Sequence, residues 1–228
     1  MNTKPALLLV DRADEYVTLT LNRPEKRNAL SVQLRDELSD VLDELATDPT
    51  LKVVVITGSG DVFSAGFDLS EFERAAQDAT FGRQLWASSD RYHTTVLHFP
   101  LPTLAAVNGP ALAGGFDLAV LCDLRIASSR ARFAHPERTF GDVVYGPLHD
   151  LVGGGVAREL TMGGRELSAD EARAVHLVGE VVEPDALMAA ARAAVARIVA
   201  APRTVLVATK AKALARAGWV RGTRTLDL

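Results

Sequence analysis

The sequence predicts an α/β fold built on a parallel sheet, with a helical C-terminal part. Three observations carry that expectation. The β-branched run Val53-Val54-Val55-Ile56 and the apolar run Thr103 to Val107 have the length and composition of strands buried on both faces. Stretches with helical apolar spacing separate them, so strand and helix alternate. The last third is helical in pattern, with an alanine-rich run from Leu187 to Val199.

In chain order, Leu7 to Val10 and Tyr16 to Leu21 read as paired strands around the turn Arg12-Ala13-Asp14-Glu15. A polar loop, Asn22 to Asn28, follows. Leu34, Leu38, Val41, Leu42 and Leu45 then recur on one helical face, and Ser31 suits the N-cap because its hydroxyl can accept a free first-turn amide. Phe81 to His98 has helical spacing, Gly109 to Gly115 is a loop of small residues, Leu118 to Leu121 resumes a helix, and Asp123 to Ala127 gives another short strand. Ser168 with Glu171 forms a capping box, and Val178 to Val182 supplies one late strand. Gly153-Gly154-Gly155 lies inside a helical region and suits a helix start or close packing. There is no repeat of fixed period and no low-complexity linker. The simplest division is a core over residues 1–185 and a helical region over residues 186–228.

Composition narrows the function classes. The chain has 228 residues, 48% hydrophobic and 24% charged, which is ordinary for a globular protein. A net charge of −4 and a pI near 5.8 offer no footprint for nucleic acid. Lys210 to Arg224 gathers basic residues, expected as a solvated helix face, with a patch for a phosphorylated ligand as the sharper alternative. One cysteine, Cys122, excludes an intrachain disulfide and suits a reducing compartment; its apolar neighbours make it a buried hydrophobe rather than a nucleophile. Ala6 to Val10 is too short for a signal peptide, and no charge-free stretch has the length of a membrane span. A cytoplasmic protein is expected.

Two segments share one design, a buried strand followed by a small-residue loop and a helix start. The first runs from Val53 to Thr57 and on through Phe63-Ser64-Ala65-Gly66-Phe67-Asp68-Leu69. The second runs from Ala105 through Asn108-Gly109-Pro110 to Ala111-Leu112-Ala113-Gly114-Gly115-Phe116-Asp117. Glycine lets backbone approach a ligand, and first-turn amides lack intrahelical partners and favour negative charge. Side by side, the loops could aim two amides at one oxygen, an arrangement worth ~3–4 kcal/mol of transition-state stabilisation per donor. The plainer reading is that small residues only permit tight turns. Gly58-Ser59-Gly60 does not complete a dinucleotide fingerprint, because Phe63 occupies the third small position. Ser64 lies in no nucleophile elbow, and His93, His98, His149 and His176 have no metal-ligand spacing.

The stretch Leu21-Asn22-Arg23-Pro24-Glu25-Lys26-Arg27-Asn28-Ala29-Leu30 resembles the opening signature of the crotonase (enoyl-CoA hydratase/isomerase) superfamily. Phe63 to Leu69 resembles its first oxyanion loop and Asn108 to Leu118 its second. Phe133-Ala134-His135-Pro136-Glu137 resembles the segment bearing its main catalytic glutamate, and Glu159 through Val182 its later helix, capping box and closing strand. The resemblance runs to about Arg203. It implies a ββα spiral core with a helical C-terminal part, assembled as a homotrimer or hexamer, and an acyl-CoA thioester as substrate. Coenzyme A then enters with the substrate, and neither a separate cofactor nor a metal is implied. By position, the Phe67 and Gly114 N–H groups would bind the thioester oxygen. Lys26, Ala29, Ala65, Gly66, Asp68, Leu69, Gly115 and Pro136 would line the CoA and substrate path.

The same resemblance makes Glu137 the general acid/base and puts Asp117 where many hydratases hold a second carboxylate. Such proton transfer is worth ~10²–10⁴-fold. Asp117 could instead merely complement the helix dipole, and Glu137 could be a surface acid. His135 is expected as a structural or pocket-lining group. Enoyl-CoA hydratase leads. An enoyl- or dienoyl-CoA isomerase is the alternative, although the dienoyl type needs a further aspartate and Asp142 falls too early, with Tyr145 nearer that position. A non-catalytic acyl-CoA-binding protein is the reading from another class. Gly141 to Asp150 departs from the family's glycine-rich pattern, and the chain stops several helical turns early, which predicts a more open acyl site or a different oligomer.

Overall fold

The computed structural model describes residues 6–228. Strands β1 (Leu8–Arg12) and β2 (Tyr16–Leu21) pair antiparallel, and the Ala13 N–H donates to the Tyr16 carbonyl at 2.9 Å to close the turn. Helix α1 (Val32–Ala46) begins where the Ser31 hydroxyl accepts from the Leu34 amide at 3.3 Å. Strand β3 (Val53–Gly58) returns parallel to β2. Two helices follow, α2 (Leu69–Gln77) and α3 (Ala79–Leu97). Asp78 closes the first and caps the second, accepting from the Thr80 and Phe81 amides. The sequence pattern marks only the start of α2, since a nine-residue helix with no buried residue carries little apolar periodicity.

Strand β4 (Thr103–Val107) lies parallel to β3, and the short β5 (Ala111–Leu112) leads into α4 (Gly114–Leu121). Strands β6 (Leu124–Ser128) and β7 (Arg132–Ala134) precede α5 (Gly146–Thr161). Then come β8 (Leu167–Ser168), α6 (Ala169–Ala174), β9 (Glu180–Val182), α7 (Leu187–Val199) and α8 (Arg203–Ala217). The main sheet has the order β1-β2-β3-β4-β6-β9 and is parallel from β2 onward. A small second sheet, β5-β7-β8, stands beside it.

The run Val53 to Ile56 is apolar throughout because both of its faces are covered. Val54 and Ile56 belong to the main core with Leu34, Leu38 and Leu42 of α1, whereas Val53 and Val55 belong to a second cluster with Leu187, Ala191 and Val195 of α7. Gly153 has φ +75° and kinks α5, with no atom near the place a side chain would take. Of the two roles expected for the glycine run, Gly153 therefore serves a helix restart and not close packing. Lys210 is not on a solvated face. It is buried, donating to the Leu101 carbonyl at 3.0 Å and pairing with Asp123 at 2.8 Å, so it ties α8 to the core. The 219–228 segment folds back on the core. The Thr225 amide donates to Asp90 at 2.8 Å, the Gly146 amide donates to the Leu228 carbonyl, and Trp219 packs beside Gly146.

Candidate active site

Three short pairings draw the loops together. The Phe63 amide donates to the Pro110 carbonyl at 3.0 Å and the Leu112 amide to the Ser64 carbonyl at 2.9 Å, which lays the first loop along β5. On its other edge β5 runs parallel to β7, Ala111 opposite Phe133 and Leu112 opposite Ala134. The Ala113 amide then donates to the Ala134 carbonyl at 2.9 Å. Residues 63–68, 111–117 and 133–137 thereby become neighbours although they are far apart in sequence.

The residues just before Phe67 and Gly114 both have positive φ, +87° at Gly66 and +52° at Ala113. That conformation is rare for a residue bearing a Cβ and turns the following peptide out of the regular path. A Cβ on Gly66 would come 2.7 Å from that of Ala113 and 2.9 Å from the Gly114 nitrogen, so only glycine fits. Among the described residues, neither the Phe67 nor the Gly114 N–H donates to a protein acceptor. The Phe67 ring covers Gly114, and a Cβ there would lie 2.8 Å from the ring and 3.7 Å from the Phe67 nitrogen. Behind the loop, the buried Arg35 guanidinium stands 4.1 Å from the centre of the Phe67 ring and donates to the Leu30 carbonyl at 2.9 Å.

Asp117 sits in the first turn of α4 and Glu137 in the 3₁₀ turn after β7. They converge on His135, whose Nδ1 is 2.9 Å from Glu137 Oε1 and 3.8 Å from Asp117 Oδ1. Burial raises the Asp117 carboxyl to a pKa of about 7; the imidazole opposes that shift and Glu137 adds to it. Burial alone would lower His135, but the hydrogen bond with Glu137 and the charge of Asp117 lift it above its ordinary value. Asp117 Oδ1, Glu137 Oε2 and His135 Nε2 are buried without a protein hydrogen-bond partner. The donor atoms of the three groups lie within 4.8 Å of one another, a spacing that could hold a cation. The Nδ1–Oε1 hydrogen bond accounts for the approach by itself.

His135, expected as a structural or pocket-lining group, lies between the two carboxylates and is hydrogen-bonded to one of them. The 3₁₀ turn that follows His135 brings Glu137 back to the imidazole, and no periodicity in the sequence marks that contact.

The residues expected along the CoA path fall into two sets. Ala29, Ala65, Gly66 and Gly115 are inner residues of the joined loops, with the Ala65 amide donating to the Arg27 carbonyl at 2.9 Å. Lys26, Leu69 and Pro136 are exposed around them. Asp68 is committed within the protein. It caps α2 and pairs with Arg23 at 3.0 Å, and although burial opposes it, the hydrogen bonds from Ser70 and Arg23 hold its carboxyl below the usual range. Asn28, fully buried, fastens this region by donating to the Ser59 and Val62 carbonyls at 2.9 and 2.7 Å. Asp142 is exposed. A 580 Å³ groove between α1, α2 and α3 is lined by Asp36, Glu37, Asp40 and Glu71 against Arg74 alone, a poor match for phosphates.

Paired free amides beside buried carboxylates suit a thioester whose oxygen gains charge. A sequence model described as enoyl-CoA hydratase/isomerase matches residues 12–226. The chain belongs to the enoyl-CoA hydratase/isomerase family. This family of acyl-CoA enzymes, the crotonase superfamily, includes relatives at moderate identity. The short-chain-enoyl-CoA hydratase of Clostridium acetobutylicum is 35% identical over 210 residues, 90% of this chain and 80% of that protein. The 2,3-dehydroadipyl-CoA hydratase of Escherichia coli K12 is 38% identical over 186 residues, 78% and 70% of the two chains. Among solved structures, a Pseudomonas aeruginosa protein superposes with a TM-score of 0.87 at 32% identity, covering 96% of this chain and 95% of its own. The family's crotonase fold is therefore the fold of this chain.

Proposed function

We propose that the chain hydrates a 2-enoyl-CoA, adding water syn across the double bond through a thioester enolate. The observation that carries this reading is the convergence of two carboxylates, Asp117 and Glu137, beside the free amides of the joined loops. Isomerisation needs one acid/base, whereas hydration must also place a water on the β-carbon, which a carboxylate pair can do. The Phe67 and Gly114 N–H groups hold the thioester oxygen as it gains negative charge. The water oxygen bonds to the β-carbon as one of its protons passes to the acid/base pair, and the pair delivers a proton to the α-carbon as the enolate collapses back to the thioester. Lys26, Ala29, Ala65, Gly66, Leu69, Gly115 and Pro136 line the CoA and substrate path, with the Asp68 backbone rather than its engaged carboxylate facing it. No cofactor beyond the CoA of the substrate takes part.

The same reading puts the enzyme in the cytoplasm as a homotrimer or hexamer. Support comes from the lone buried Cys122, which suits a reducing compartment, and from the exposed Phe140 and Met162, which suit burial between copies. Among the described residues no helix is long and apolar enough to cross a membrane. Loss of the enoyl absorbance of crotonyl-CoA on incubation with the protein is the expected result. Isomerisation of a 3-enoyl-CoA without hydration would replace this reading with the isomerase one. Acyl-CoA binding without either reaction would point to a binding protein. Light scattering at the mass of one chain would remove the oligomer.

A further inference from the structure

His135 is a buried titratable group that neither the hydration step nor the CoA path uses. It is 2% exposed, and its ring is held against that of Phe116 at 4.7 Å between centres, tilted by 32°. Among the described residues, the charged groups that face it are acids. Asp117 comes from α4 and Glu137 from the turn after β7, while Tyr92 of α3 adds a buried phenol near Asp117 that burial and that carboxylate keep protonated. Arg138, the next cation in sequence, turns away and donates to the Met162 carbonyl. Among the described residues, no Lys or Arg comes within ion-pairing distance of Asp117 or Glu137. Two carboxylates in an apolar site cannot both ionise easily without something to oppose them. Among the described residues, the imidazole is the side chain placed between them to do so.

We propose that His135 is a positioning residue of the active site: its Nδ1–H holds the Glu137 carboxylate in its reacting orientation, and its ring carries the charge that opposes the carboxylate pair. No bond to substrate is formed or broken at His135. Fixing Glu137 through Oε1 leaves Oε2, which has no protein partner, as the oxygen that exchanges the proton with the α-carbon. The shared charge makes the site a three-group acid–base unit and not a carboxylate pair. For activity this rests on the hydratase reading; for the contact itself it does not.

Two variants and one titration test it. His135→Leu removes both the donor and the charge, and kcat for crotonyl-CoA should fall by about 100-fold, the loss that follows a displaced catalytic group. Butyryl-CoA, an unreactive acyl-CoA, should still bind within about threefold of wild type, because the imidazole is directed at Glu137 and not at the substrate. His135→Asn keeps a nitrogen donor in the same place but cannot titrate. It should retain more than a tenth of wild-type kcat and lack the alkaline fall in kcat that accompanies proton loss from the wild-type imidazole. A kcat within about threefold of wild type in the leucine variant, or an unchanged alkaline limb in the asparagine variant, would overturn the proposal.

Imidazole NMR separates this from the hydratase reading. The His135 signal should titrate above the ordinary histidine range in the wild type and move down in Glu137→Gln. An unmoved titration would overturn the positioning contact whether or not crotonyl-CoA is a substrate, and it decides the matter if the leucine variant does not fold.

Discussion

Two histidines of this chain are equally hidden from water and yet have opposite chemistry. His93 of α3 is fully buried, with Nδ1 near the Ser89 carbonyl at 2.9 Å and the Thr225 hydroxyl at 3.1 Å, and burial drives its pKa down to about 4. His135 is 2% exposed, and the Glu137 hydrogen bond with the Asp117 charge overturns the same burial and raises its pKa. In both rings Nε2 has no protein partner. Burial alone therefore does not decide which state a buried imidazole holds. Hydroxyls and carbonyls leave it neutral, whereas an ionised carboxylate in a dry surrounding keeps the proton on it. One ring ends as part of the frame under Phe67, with the two ring centres 6.1 Å apart, and the other ends inside the acid–base cluster.

That contrast can be broken from the carboxylate side. Glu137→Gln should lower kcat by about 10³-fold, within the range for a lost general acid/base, and leave butyryl-CoA binding intact, as steady-state kinetics and calorimetry would show. Unchanged turnover would remove Glu137 from the chemistry. The backbone side of the site, which contains no titratable group, should respond nearly as strongly. Gly66→Val places a Cβ against Ala113 at φ +87° and must displace the Phe67 amide, so kcat should fall by about 10²–10³-fold with no new feature in the pH profile.

Smaller effects concern stability. His93 titrates at about 4 in the folded chain against about 6.5 unfolded. Its contribution is present above pH 6.5 and is lost as pH falls toward 4, on the order of 3 kcal/mol in all. Urea unfolding of His93→Leu should show that loss removed, and its kcat should stay within about threefold of wild type because His93 lies outside the acid–base cluster. Asp117 has the opposite sign. Its carboxyl titrates at about 7 folded against about 4 unfolded, so its contribution is full below pH 4 and is lost as pH rises to 7. Asp117→Asn should therefore unfold at higher urea than wild type at pH 8, by about 1–3 kcal/mol, while the two match more closely at pH 4. Equal stability at both values would mean that Asp117 is not desolvated as its surroundings require.

The strands and most helices were legible in the residues. Tyr16 to Leu21, Thr103 to Val107 and Leu187 to Val199 fall where the pattern puts them, and the Ser31 cap and the Ser168–Glu171 box are formed. Those features depend on side chains within a few residues of one another. The buried state of Lys210 was not legible, because its partners Leu101 and Asp123 are long-range ones. The kink at Gly153 and the helix over Leu69–Gln77 were indistinct for a related reason: neither leaves an apolar stripe to read.

By itself the sequence determined the alternation of strand and helix, the two small-residue loops and the family. These are properties of local pattern and motif order. Only the tertiary structure decided that β5 lies between the first loop and β7, and that His135 completes a cluster with Asp117 and Glu137. Charge in a buried site is set by what lies within a few ångströms in space. For His135 one of the two acids, Asp117, is distant in sequence and is brought there by a two-residue strand pairing that no local pattern specifies.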